Sequence, residues 1–120
     1  MRNPDDLRVT AEARELVIAT YRVTARFPTS ERFGLTAQMR RASVSIGSNV
    51  VEGCYRVTNR AFLVFLHQAI GSAAELQFQI ELAQQLSFGD PNELTALHAK
   101  ATDSKKMLSR LISSLRSRLN

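Results

Sequence analysis

The chain has 120 residues, 44% hydrophobic and 22% charged, with a net charge of +5 and a pI of about 10.1. That is enough chain for one core and too little for two. It holds no run of about 18 apolar residues that could span a bilayer. Its first residues, Met-Arg-Asn-Pro-Asp-Asp, form no apolar signal core, and its single cysteine, Cys54, cannot form an intrachain disulfide, which fits a reducing cytoplasm.

A first helix is expected over about residues 5–27. Pro4 marks its boundary, and Asp5 and Asp6 suit the positive end of the helix dipole. Val9, Ala13, Leu16, Thr20, Val23 and Phe27 step by four and three, as one buried face requires. Pro28 ends the helix, because its ring disfavours helical backbone in the residue before it. Thr29 and Ser30 follow as a short turn with capping side chains.

A second helix is expected over about residues 35–52, stopped by Gly53. Leu35, Met39, Ala42, Ile46 and Val50 make its core face. Beside that face runs a polar row of Gln38, Arg41, Ser45, Asn49 and Glu52. The far side carries Val44 and Val51 with the small Gly47 between them. Thr58 then caps a third helix over about residues 59–86. Its seam is Phe62, Leu66, Ala69, Ala73, Leu76, Ile80 and Ala83, a heptad pattern suited to crossings near 20°. Val64, Gly71, Phe78 and Leu82 lie roughly opposite that seam. Two helices that are apolar on two sides need two partners, so these outer residues (Val44, Gly47, Val51, Val64, Gly71, Phe78, Leu82) are expected to form an interface between copies of the chain.

Ser87-Phe88-Gly89 closes the third helix. Asp90-Pro91-Asn92-Glu93 starts a fourth, over about residues 91–118, with Asp90 as N-cap, Pro91 in the first turn and Glu93 placed for a capping box. Its core face is expected to be Leu94, Leu97, Ala101, Ser104, Leu108, Leu111 and Leu115. Four amphipathic helices with short connections in one domain, residues 1–120, predict an all-α, antiparallel up-down-up-down four-helix bundle.

Little in the chain points to catalysis. His67 and His98 have no second histidine or cysteine at metal spacing, and no phosphate-binding glycine loop or Glu-x-x-His pair occurs. Cys54 follows a glycine in an expected turn. It is an inert thiol unless arginine stabilises its thiolate. Neither catalytic, cofactor nor metal residues are therefore assigned.

Two constellations remain. The polar row of the second helix has a counterpart on the third in Gln68, Ser72, Glu75 and Gln79. If the rows face each other, Gln38, Arg41, Asn49, Glu52 and Glu75 form a buried network with Arg41 paired to Glu75, fixing register; otherwise both rows are solvated flanks. The cations are also unevenly placed. No Lys or Arg occurs from Ala61 to Ala99, whereas the second helix carries Arg40 and Arg41 and the fourth Lys105, Lys106 and Arg110. These five are the candidate phosphate contacts of a nucleic-acid-binding surface.

Several motifs together resemble one family. They are Phe27-Pro28, Glu31-Arg32-Phe33-Gly34-Leu35-Thr36, Gln38-Met39-Arg40-Arg41-Ala42, Val44-Ser45-Ile46 and Ser48-Asn49-Val50-Val51-Glu52-Gly53. Phe62, Phe65-Leu66, Ala69, Gly71-Ser72 and Glu75-Leu76 continue the pattern. They are similar to the 23S ribosomal RNA intervening-sequence proteins through Glu75; after Gln85 only helical pattern remains. The sequence departs mildly at Val50-Val51, where Ile-Ala is usual, and at Cys54-Tyr55. The resemblance implies a four-helix bundle assembled as a homopentameric barrel. It also implies kinship with the accessory variability determinant of diversity-generating retroelements, a basic pentamer that binds nucleic acid and a reverse transcriptase. It transfers no catalytic residue. The expectation is thus a non-enzymatic, cytoplasmic, self-assembling bundle that binds RNA or DNA and no membrane, with a reverse transcriptase or other protein as a further partner. The alternative is an oligomeric protein-binding adaptor with no nucleic-acid role.

Overall fold

The computed structural model describes residues 1–119 of the chain. Among them are four α-helices and no strand: α1 (Arg8–Thr24), α2 (Leu35–Cys54), α3 (Asn59–Gln85) and α4 (Pro91–Leu119). Consecutive helices pack side by side and α4 closes back on α1, while the diagonal pairs stay apart. The order alternates in direction. Contacts between α2 and α3 run from Gly53 against Phe62 to Ser45 against Ser72. Those between α3 and α4 run from His67 with Arg116 to Glu81 with His98. As numbering rises in one helix it falls in its neighbour, which is the antiparallel up-down-up-down arrangement expected for helices joined by short loops.

The stripes of α1, α2 and α3 close a common core. Leu16, Met39, Ile46, Phe62, Leu66 and Leu76 are fully buried within it. Truncating any such leucine to alanine should cost about 2–5 kcal/mol. On α4 the face turns slightly from the expected one: Ile112 is buried and Leu111 only half-buried. In a helix those two residues are about 100° apart and flank the line from Leu108 to Leu115 on opposite sides, and the core takes Ile112.

The ends of the helices differ from expectation in physically readable ways. Pro4–Asp6 forms a separate 3-10 turn, capped by Asn3 Oδ1 accepting from Asp5 N, so α1 begins at Arg8. It ends at Thr24, because Arg26 N and Phe27 N turn to the carbonyls three residues back before Pro28. Phe27 is still buried, packing on Phe88 with ring centroids 5.7 Å apart. The cap of α2 comes not from Thr29 or Ser30 but from Glu31, whose Oε1 accepts from Leu35 N at 3.1 Å.

Gly53 does not stop α2, which continues through Cys54. Thr58 caps α3 by accepting from Ala61 N at 3.1 Å, as expected. Its far end is a Schellman turn: Phe88 N donates to Ala83 O at 2.9 Å and Ser87 N to Gln84 O at 3.2 Å. The left-handed residue that this turn needs is Ser87, with φ 58°. Asp90 Oδ1 accepts from Asn92 N and Glu93 N, as a cap should. Glu93 does not reach back to complete the box; its Oε1 lies 3.7 Å from Arg26 Nε on the α1 side.

Candidate nucleic-acid interface

The five candidate phosphate contacts do not form one patch. Arg40 and Arg41 lie on α2, Lys105, Lys106 and Arg110 on α4, and these two helices are diagonal in the bundle. On the α4 side, Lys106 and Arg110 are exposed and share a shallow groove with Arg8, but Glu12 and Asp103 line it too. Mixed charge there cancels much of the local attraction for a polyanion.

On the α2 side the two arginines differ. Arg40 is half-buried and already committed. Its Nε donates to Thr24 Oγ1 at 2.9 Å, its Nη2 to Tyr21 O at 3.3 Å, and its guanidinium lies 4.5 Å from the Tyr21 ring centroid. Thr24 is itself bonded back to the Thr20 carbonyl at 2.7 Å, so this corner of α1 is rigidly held. Arg41 is exposed. Together with Arg32 these side chains wall a groove of about 710 Å³ between α1 and the start of α2. Phe33 and Tyr21 also line it; Phe33 is 83% exposed and Tyr21 44%. The Arg32 guanidinium lies 4.8 Å from the Phe33 centroid. Among the described residues no carboxylate lines the groove.

Tyr21 and Phe33 were not among the candidates drawn from the sequence. A signal was present: Ile18 and Tyr21 sit three apart on α1, off its core stripe, and both are exposed. Phe33 follows Arg32 in a turn that no core pattern claims.

The expected network between α2 and α3 is mostly absent. Gln38, Arg41, Glu52 and Glu75 are all exposed. Among the described residues Arg41 and Glu75 make no ion pair; they face a common groove with Phe78 and the buried Gln79, whose Oε1 has no hydrogen-bond partner. Glu52 lies 3.7 Å from Arg56 on its own side of the turn. What crosses between the helices is smaller: Ser45 Oγ and Ser72 Oγ share a hydrogen bond at 2.9 Å, and Asn49 Nδ2 donates to Ser45 Oγ at 3.1 Å. Two long charged side chains at the rim stay in water, where solvation costs nothing, and the short hydroxyls nearer the core meet.

Five of the seven expected outer residues are exposed; Gly47, close to Ala13 of α1, and Leu82 are half-buried within the chain itself. Val44, Val51, Val64 and Phe78 are 38–60% exposed. Val44, Gly47 and Val51 lie on the α1 side of α2, next to Val17 and Ile18. Gly71 is open: a Cβ there would meet nothing within 4 Å. Leu82 differs, since it is half-buried against the core.

Cys54 is fully buried, in the last turn of α2 and not in a loop. Burial pushes its thiol pKa above the ordinary value, against a smaller lowering by Arg2 and the N-terminal amine. Arg2 fastens the N-terminal segment here: its N–H donates to Cys54 O at 2.8 Å, and its guanidinium sits 4.5 Å from the Phe62 centroid. His98 Nε2 meets Glu81 Oε2 at 2.9 Å, and Arg116 Nη2 donates to His67 Nε2 at 3.1 Å. Among the described residues no three His, Cys, Asp or Glu cluster as metal ligands would, and no helix is long and apolar enough to cross a membrane.

Comparison with known proteins agrees with this architecture. Among curated proteins none matches the chain in sequence. A solved structure from Bacteroides thetaiotaomicron VPI-5482, described as a protein with unknown function from the S23 ribosomal protein family, has the same fold. The TM-score is 0.78 at 20% identity, covering 87% of this chain and 97% of that one. The family model for the 23S rRNA-intervening sequence protein matches residues 5–110. With nearly the whole bundle inside that match, the chain belongs to the 23S rRNA-intervening sequence protein family.

Proposed function

We propose that the protein is a non-enzymatic, cytoplasmic bundle that assembles with copies of itself, a pentamer being the expected number, and binds RNA or DNA through its exposed cations. The observation that carries the nucleic-acid reading is the acid-free groove of Arg32, Arg40 and Arg41. It lies on one side of a molecule whose α3 bears no Lys or Arg after Arg60. Such segregation concentrates positive potential where a polyanion can approach. The exposed Val44, Val51, Val64 and Phe78 support assembly, because apolar side chains aligned on two helices gain from a second copy. In a ring each basic groove would repeat, multiplying the attraction.

Charge reversal tests the binding. Arg41→Glu is the suitable change, since Arg41 is exposed and makes no ion pair among the described residues. Arg40→Glu would also break its bonds to α1. Arg41→Glu should weaken binding to a mixed-sequence RNA or DNA at least tenfold with an unchanged melting temperature. Equal binding by the variant, or none by the parent, would favour an oligomeric protein-binding adaptor.

A further inference from the structure

Resting on that reading, we propose that the groove between α1 and the start of α2 is a stacking site for single-stranded nucleic acid, with bases on Phe33 and Tyr21 and phosphates against Arg32 and Arg41. Phe33 stands clear of its own fold: it is 83% exposed, and the Arg32 guanidinium lies 4.8 Å from its ring centroid. One ring face is thus backed by a cation, which leaves the other for a base. Tyr21 is arranged the same way, with Arg40 at 4.5 Å.

The two arginine roles separate cleanly. Arg40 spends its donors on Thr24 Oγ1 and Tyr21 O, so it positions the tyrosine ring and does not reach outward. Arg32 and Arg41 are exposed and line the same groove. Glu31, the nearest acid in sequence, is committed to capping α2. The groove, about 710 Å³, falls in the usual size range of ligand sites. It combines aromatic faces with guanidinium groups and has no opposing carboxylate. That pairing suits an occupant that is flat, apolar on its faces and anionic along its edge. Single-stranded nucleic acid has this chemistry; a duplex hides the base faces within its own stack. A second copy of this chain would bring its own positive charge to the same place.

The test is fluorescence anisotropy of the full chain with labelled 12-mers of oligo-rU and oligo-dT, and with a 12-base-pair duplex. The parent should favour a single strand over the duplex. Phe33→Ala should weaken single-strand binding about tenfold, within the range for losing a stacked base, with little change in salt dependence. Phe33→Trp should restore it. Whichever strand the alanine change weakens is the strand the groove takes. Arg118→Glu, at the opposite end of the bundle from the groove, should have little effect. If Phe33→Ala binds like the parent, the groove assignment is overturned, and a loss of binding in Lys106→Glu would then put the contact on α4. If the parent binds no strand at all, the reading beneath it falls as well. A lower solution mass for Phe33→Ala, with unchanged affinity, would instead make the groove a contact between copies and overturn the assignment.

Discussion

Gly53 of α2 runs so close to Phe62 of α3 that a Cβ on the glycine would lie 2.8 Å from Phe62 Cδ1 and 2.9 Å from Phe65 Cβ. The glycine is inside the helix and its use is close approach between helices. Phe62 is fully buried and backed by Arg2, so it cannot swing aside cheaply. Gly53→Ala should therefore destabilise by about 1–3 kcal/mol, the cost of overpacking a filled core. Gly71→Ala, in open space on α3, should gain up to about 1 kcal/mol from helix propensity. Urea denaturation of the two variants checks the pair; equal effects would mean that the packing at Gly53 is looser than described.

The outer stripes predict an assembly. Val64→Glu and Phe78→Glu replace residues that are already more than half exposed in the single chain, so neither should lower the stability of the bundle by more than about 0.5 kcal/mol. Both should lower the mass measured by sedimentation equilibrium. A parent protein that sediments as a monomer would remove the reason for the stripes.

The link between α2 and α3 predicts which polar residues matter. Ser45→Ala removes the partner of Ser72 and Asn49 and should cost about 1 kcal/mol. Glu75→Ala should cost almost nothing, because Glu75 is exposed and pairs with no cation among the described residues. A loss of several kcal/mol at Glu75 would restore the buried Arg41–Glu75 pair that the sequence suggested.

Much of the fold was legible because its signals are local and periodic. Most core residues of α1, α2 and α3 follow from steps of three and four, with Leu63 and Cys54 outside those stripes, and the caps at Thr58 and Asp90 follow from side chains that bond their own next turn. What was not legible depends on neighbours. Gly53 reads as a helix stop until Phe62 is seen beside it. Arg41 and Glu75 read as a pair because their rows match, yet spacing along a helix does not say how deep a side chain sits. The groove is hidden for the same reason: Tyr21 and Arg40 are nineteen residues apart and meet only when α1 and α2 pack.

Cys54 gives a prediction with a definite sign. Its folded pKa lies above the ordinary thiol value because burial disfavours the thiolate. The folded state then holds a proton that the unfolded chain has released. The stability from the buried neutral thiol is fully present below the ordinary thiol pKa and is lost as pH rises from there through the raised folded value. Between these two values the parent should lose more stability than Cys54→Ala, measured by thermal melts. Below them, a disulfide reagent should label Cys54 only at the rate of unfolding. Fast labelling of the folded protein would contradict the burial.

The most direct test of nucleic-acid binding is the affinity of the parent protein for a single strand measured across salt concentration. Neutralising two phosphates, one each at Arg32 and Arg41, should give log affinity against log salt a slope of about −1.4 for a single strand, by counterion release. That slope should become shallower in Arg41→Ala and persist in Phe33→Ala. A flat line, with affinity indifferent to salt, would contradict phosphate recognition by this surface.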